Sequence, residues 1–276
     1  MTVVEQSRPA GSAAHDLYPA FAAARVQRGL VLALFGLAGL GWWWANGQMQ
    51  GMDTGPWSAL GGFGWFVGVW VVMMAAMMLP SIAPTVALYA RMTKARSPRA
   101  PAAFTAGYLL TWTAGGVAAY AIAIAATRLA GDSLAWDNAG RPLAGATLVV
   151  AAAYELTPLK NICLGKCRSP LGFLLGSWRD GWRGSLRMGV KNGAWCVGCC
   201  WALMASLFAL GIMSLAWMAL VAGLIAVEKT LPWHRWATFG TAAVLLILGV
   251  LLLVSPHAIP GLTLPGGGMP MMPAGS

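Results

Sequence analysis

All five cysteines of the chain fall into two groups. Cys163 and Cys167 form the first group, and Cys196, Cys199 and Cys200 form the second. Residues spaced i, i+3 and i+4 lie on one face of a helix, so the second group is expected to present its thiols together, and so is the first if its helix continues past Pro158. Two adjacent helices would then offer up to five sulfur atoms to one point.

Clustered thiols suit three kinds of role. Thiolates are preferred ligands of soft or borderline ions, so the first interpretation is a site for Cu(I) or Zn(II); an iron–sulfur centre uses the same donors. The second is thiol redox exchange between Cys196 and Cys199. The third is a membrane scaffold or assembly factor whose cysteines only pack as small apolar side chains. We favour metal ligation, because packing alone would explain scattered cysteines better than two compact groups.

A methionine-rich stretch supplies a second set of sulfur atoms. Met73, Met74, Met77 and Met78 precede Pro80, and thioethers at i and i+4 share a helix face. Methionine is a common gap filler beside a proline kink, and we expect the prolines here to open the helix. Thioethers are also soft ligands for Cu(I), so Met77 and Met78 join the candidate metal ligands.

Two acidic residues, Glu155 and Glu228, lie in or at the end of long apolar runs. An ionisable residue within a membrane span is a functional hypothesis in itself. Glu155 either handles protons or metal ions, or forms a structural ion pair with Lys160, Lys191 or Lys229. Both alternatives place a carboxylate close to the thiol groups.

The elements that hold these residues are expected to be membrane helices. Of the 276 residues, 58% are hydrophobic and 9% are charged, and the mean hydropathy is +0.67; a soluble domain carries about a quarter charged residues. We predict an all-α, polytopic transmembrane helical bundle of about seven spans. The spans are placed at 29–46, 61–88, 102–127, 142–163, 192–211, 212–228 and 237–254.

The distribution of positive charge predicts the orientation. Cytoplasmic loops of membrane proteins carry an excess of Lys and Arg. With the N-terminus inside, 16 of the 18 Lys and Arg residues fall in inner segments, and only Arg128 and Arg141 fall outside. Both cysteine groups then lie on the cytoplasmic side of a bacterial inner membrane, where reducing conditions disfavour disulfides. The same arrangement requires a tight outer turn near Gly211.

The segment between the fourth and fifth spans is predicted to form a surface helix. Its apolar residues at three- and four-residue spacing accompany Arg179, Arg183 and Arg187, a pattern typical of a basic helix on the membrane surface.

Three regions are predicted along the chain. The regions are an N-terminal cytoplasmic segment (1–28), the transmembrane domain (29–254) and a flexible tail rich in Met, Pro and Gly (255–276).

The charge pattern also predicts the partners. Basic residues beside apolar helices favour anionic lipid headgroups, and a metal-handling protein would also meet a membrane or soluble partner protein. Nucleic acid is not expected, because the basic residues are not interleaved with exposed aromatic residues. The sequence contains no nucleotide-binding loop, hydrolase elbow or zincin motif, so no catalytic role is required.

Four ordered blocks of the sequence carry a family signature. They are Met-Met-Ala-Ala-Met-Met-Leu-Pro-Ser (73–81), Tyr-Glu-Leu-Thr-Pro-Leu-Lys (154–160), Cys-Leu-Gly-Lys-Cys-Arg-Ser-Pro-Leu-Gly-Phe (163–173) and Cys-Val-Gly-Cys-Cys-Trp-Ala-Leu-Met (196–204). Over roughly residues 60–235 the chain resembles an uncharacterised prokaryotic family of predicted metal-binding integral membrane proteins. The resemblance implies a bound metal without naming it. The family pattern often has Gln where this chain has Glu155, so a role that needs this carboxylate would not be shared by the whole family.

Overall fold

The computed structural model of the chain describes residues 27–49, 61–93, 99–131, 139–210, 214–231 and 234–255, and all of its regular structure there is helical. The prediction of an all-α bundle is therefore confirmed. The helices in these ranges are α1 (Arg28–Met49), α2 (Phe63–Thr93), α3 (Ala100–Ala130), α4 (Arg141–Glu155), α5 (Pro158–Arg168), α6 (Pro170–Ser177), α7 (Gly181–Leu210), α8 (Leu215–Thr230) and α9 (His234–Val254).

Five of these helices, α1, α2, α3, α7 and α9, are long and apolar enough to cross a membrane. Helices α4 and α5 meet the same criterion only as a pair, which is bent by 67° at the break between them. Helix α8 has 16 residues and is therefore about 24 Å long, less than the hydrocarbon core of about 30 Å. The described part of the chain thus holds five helices of spanning length, or six with the bent pair. The predicted seventh span and the inside N-terminus stay predictions.

The basic stretch before the fifth predicted span is divided between two helices, α6, which ends at Ser177, and α7; its position at a membrane surface stays a prediction. Helix α7 begins at Gly181, whose φ of +75° is favourable for glycine, and continues without a break to Leu210. From Leu186 onward α7 packs closely against α3. The predicted outer turn at 211–213, most of the N-terminal segment (1–26) and the tail from 256 to 276 lie outside the described residues.

The prolines of the methionine-rich stretch do not open α2. The helix continues through Pro80 and Pro84, contrary to expectation. A proline removes one backbone N–H donor without ending a helix whose neighbours hold it in place. Ser81 contributes here, because its hydroxyl donates a 2.9 Å hydrogen bond to the carbonyl oxygen of Met78.

At Pro158 the fourth predicted span is interrupted. Helix α4 stops at Glu155 and α5 starts at Pro158 after an extended Thr157, so the proline occupies the first turn of a new helix, where its missing N–H removes no hydrogen bond. The side chain of Thr157 caps α5 by accepting a 3.3 Å hydrogen bond from the backbone N–H of Lys160. The first cysteine group therefore lies on a short, separate helix and not on a continuation of α4.

Helices α3 and α7 approach each other closely through glycines. A Cβ atom on Gly107 would lie 2.2 Å from a backbone oxygen of α7, and one on Gly189 would lie 2.0 Å from a backbone oxygen of α3. Only residues without a side chain permit this separation, as in small-residue contacts between membrane helices. The contact brings Tyr108 of α3 to Cys196 of α7.

The helix directions gather the positive charges at one end of the bundle. The ring of Tyr89 late in α2 packs against that of Phe104 early in α3, whereas Trp70 early in α2 donates a 2.8 Å hydrogen bond to the carbonyl of Trp112 further along α3. The two helices are therefore antiparallel, and α7 starts beside the start of α3. We call this end the basic end, because it carries the exposed side chains of Arg91, Arg99, Arg183, Arg187 and Lys191.

Candidate metal centre

Cys196, Cys199 and Cys200 of α7 form a buried three-thiol group. Their Sγ atoms all lie within 4.8 Å of one another, and none of the three residues is more than 2% exposed. One ion bonded to sulfur at about 2.3 Å joins sulfur atoms up to about 4.6 Å apart. Small side-chain rotations would therefore bring all three sulfurs onto one ion.

Cys167 adds a fourth sulfur from α5. Its Sγ atom lies 3.7 Å from Sγ of Cys199, which in turn lies 3.2 Å from Sγ of Cys200. Cys167 is half-buried, unlike the three thiols of α7. The site thus draws sulfur atoms from two helices that are adjacent in space and separated in sequence by α6.

Cys163 has a different environment from the other thiols. Its sulfur lies against Gly198 of α7, where a Cβ atom would be only 2.8 Å away. The carbonyl oxygen of Gly198 accepts a 2.5 Å hydrogen bond from the hydroxyl of Tyr154, so this glycine is also where α4 meets α7. Cys163 is not part of the three-thiol group, and its service as a metal ligand stays a prediction.

Met77 and Met78 are buried in α2, with 5% and 0% exposure, in the same apolar core as the α7 thiols. One turn further along, the hydroxyl of Ser81 lies 3.4 Å from Nζ of Lys229. The methionine-rich stretch therefore lies near Lys229, which also contacts Cys196. Metal ligation by its thioethers stays a prediction.

Lys229 of α8 is the cation beside the thiols. Its ammonium donates a 3.1 Å hydrogen bond to Sγ of Cys196, and the residue is 7% exposed. The hydroxyl of Tyr108 lies 3.0 Å from the same sulfur. Sequence reasoning named Lys229 only as a partner for Glu155 and missed Tyr108 altogether. A lysine at the end of an apolar run was the one signal available for this contact.

Glu155 and Glu228 share a different lysine. The ammonium of Lys160 donates to Oε2 of Glu155 and, over 2.7 Å, to Oε2 of Glu228. All three residues are at most 1% exposed. The guanidinium of Arg168 donates to the backbone oxygen of Glu228. We call these four residues the ion cluster; its two cations balance its two carboxylates and join α4, α5 and α8.

The ion cluster and the thiols occupy the same two helix ends. Neighbouring residues on a helix point about 100° apart, so Glu228 reaches the ion cluster while Lys229 reaches Cys196. In the same way, at the end of α5, Arg168 reaches the ion cluster while Cys167 reaches Cys199. Of the lysines proposed for Glu155, Lys160 is the one found; the predicted structural ion pair is present.

The chain is similar to a known protein family. Residues 67–252 match the family described as PpoB2: Copper chaperone. The match covers about two thirds of the chain and includes all five cysteines and both buried carboxylates. The expected relation to a metal-binding family is confirmed at this level. No curated protein and no solved structure matches the chain.

Proposed function

This chain belongs to the PpoB2 copper chaperone family, and we propose that it is a multi-pass protein of the bacterial inner membrane that binds Cu(I) at cytoplasm-facing thiols. The observation that carries the proposal is the buried three-thiol group of Cys196, Cys199 and Cys200. Copper is cargo in this role, held at the thiols and then delivered to another protein.

The exposed surface of the helices supports the membrane location. Large apolar side chains point outward from several of the long helices, among them Leu32 at 70%, Leu110 at 56% and Ile122 at 69% exposure. Extended apolar surfaces of this kind are unfavourable in water and favourable against lipid chains. The basic end would then meet anionic headgroups, as the charge distribution predicts.

The donor atoms support copper as the metal. Every ligand of the three-thiol group is a sulfur, and soft thiolates select Cu(I) and Zn(II) over hard cations. The three thiols together with Cys167 suit either of these two ions. The family description names copper, and this favours Cu(I) over Zn(II).

Metal binding by the purified full-length protein tests this proposal. Cu(I) is titrated under reducing conditions in detergent against a competing Cu(I) chelator. We expect about one Cu(I) per chain, and a loss of affinity of about tenfold or more in Cys199→Ser or Cys200→Ser, because a hydroxyl is a poor ligand for a soft ion. Cys163→Ser is the comparison: native affinity would confine the site to the other thiols, and a loss would add Cys163 to the ligands. Unchanged binding in a variant without the three α7 thiols would refute the site.

One distance favours thiol redox exchange as a second candidate function. Cys167 and Cys199 lie 3.7 Å apart through their sulfurs on two different helices. The pair proposed from the sequence, Cys196 and Cys199, lies on one helix with its sulfurs within 4.8 Å of each other, and the Cys199 thiol donates a hydrogen bond to the Cys196 carbonyl. An exchange reaction would therefore use Cys167 with Cys199.

A further inference from the structure

We propose that Lys229 is a positioning residue that balances the charge of the thiolate–copper complex. The inference rests on the proposed function, since it assigns a role to a residue beside the same thiols. When two of the three thiols bind Cu(I) as thiolates and the third stays protonated, the complex carries one net negative charge. The ammonium of Lys229, 3.1 Å from Sγ of Cys196, supplies the single positive charge that neutralises such a complex.

The surroundings of Lys229 explain why a thiolate is its counter-ion. In the described part of the chain, no carboxylate lies within ion-pair distance of Lys229. The nearby carboxylates of Glu155 and Glu228 are both engaged by Lys160. A buried ammonium is strongly disfavoured unless an anion or several acceptors accompany it. The acceptors present are Cys196 and the hydroxyl of Ser81, at 3.4 Å.

The position of Lys229 is fixed from several sides. It lies in the last turn of α8, where the negative end of the helix dipole favours a cation. Glu228, its neighbour, is held by Lys160 and Arg168. The ammonium therefore keeps its place beside Cys196 through the ion cluster and not through the metal. A fixed outer charge of this kind tunes metal affinity without touching the metal.

Two soft ions of different charge test the proposal at constant pH. Ag(I) and Hg(II) both accept two thiolates, but the Ag(I) complex carries one negative charge and the Hg(II) complex carries none. In Lys229→Met we expect Ag(I) affinity, measured by competition with a small thiol, to fall by about 10–100-fold. Hg(II) affinity should stay the same or rise. Lys229→Arg keeps the charge and should keep native Ag(I) affinity, and Lys191→Met removes an exposed lysine of α7 as a control.

The outcomes separate this inference from the proposed function. Equal changes for Ag(I) and Hg(II), or no change in either, would contradict the role of Lys229 while leaving copper binding intact. A native chain that does not bind Ag(I) or Cu(I) through its thiols would refute the proposed function itself. If Lys229→Met does not fold, Lys229→Gln takes its place, since it keeps a hydrogen-bond donor beside Cys196 without the charge. The same selective loss of Ag(I) affinity is expected there, and native Ag(I) affinity in Lys229→Gln would overturn the role of the charge.

Discussion

The ammonium of Lys160 lies 2.7 Å from the carboxylate of Glu228, although 68 positions separate the two residues in the sequence. The same ammonium binds Glu155 at the end of α4, so one buried cation fixes the bend between α4 and α5 against α8. The next residue after Glu228 contacts Cys196. The structural ion pair and the thiol site are therefore held by the same short stretch of α8.

Removing the shared lysine should destabilise the fold. Lys160→Met leaves two buried carboxylates without their cation, and we expect a loss of about 3–5 kcal/mol in the free energy of unfolding, measured by denaturation in detergent. Glu155→Gln should cost less, because Lys160 keeps Glu228. Lys166→Met, at an exposed position of the same helix, is the control. If Glu155→Gln instead lowers metal tolerance with unchanged stability, the carboxylate handles ions or protons and is not only structural.

The glycine contact between α3 and α7 gives a second stability prediction. A Cβ on Gly189 would lie 2.0 Å from a backbone oxygen, so Gly189→Ala should lower the stability by about 1–3 kcal/mol or more. The altered spacing should also weaken copper binding, because Tyr108 and Cys196 lie along this contact. The matched control is Gly223→Ala in α8, where the added atom meets nothing within 4 Å. Equal thermal stability of the two variants would contradict the close packing.

The positions of the sulfurs predict which cysteines oxidise together. Cys199 and Cys200 are closer, at 3.2 Å, but their Cβ atoms diverge as neighbours on one helix, which disfavours a bond between them. Mild oxidation of the metal-free protein should join Cys167 to Cys199, since rotations of two side chains shorten their 3.7 Å separation to a bond of about 2.05 Å. Peptide mapping by mass spectrometry identifies the pair, and bound Cu(I) should suppress it by occupying the thiolates. A dominant Cys196–Cys199 bond would support the pair proposed from the sequence instead.

The orientation can be measured with reporter fusions. If the basic segments stay in the cytoplasm, reporters fused to segments on opposite sides of the membrane should give opposite signals. A cytoplasmic signal after Pro270 would mean that α8 does not cross the membrane. Its 16 residues are short for a span. We expect exported reporters after Met52, Asp132 and Pro270, and cytoplasmic reporters after Ala95, Arg179 and Arg235.

The role of the methionines can be separated from their packing. Met77→Leu and Met78→Leu conserve volume, so each should cost less than about 1.5 kcal/mol of stability. A thioether that binds copper would make either variant lose Cu(I) affinity while its thermal unfolding stays close to that of the native chain. Native affinity in both variants would assign the two residues to packing alone. Met218→Leu, a buried methionine of α8, serves as the control.

Local patterns in the sequence were sufficient for the helical class and for the three-thiol group. Long apolar runs require helices, because a backbone in lipid must satisfy its own hydrogen bonds. The spacing of Cys196, Cys199 and Cys200 requires a shared face, because the helix period is set by hydrogen bonds four residues apart. Thr157 and Pro158 carry the signals of a helix start, yet an interrupted span was not expected, because apolarity continues across the break.

Tertiary packing alone decided which groups meet. The i, i+4 spacing of Cys163 and Cys167 puts both on one face of α5. Helix α7 packs along that face, so successive turns of α5 meet different residues of α7: Cys163 lies against Gly198, and Cys167 lies near Cys199. The sequence offered Lys160, Lys191 and Lys229 to Glu155 on equal terms. The fold places Lys160 at the ion cluster, Lys229 at the thiols and Lys191 beside Ser177. Helix periodicity repeats over a few residues, whereas these partners depend on which helices become neighbours, and that is fixed by contacts such as those of Gly107 and Gly189 far along the chain.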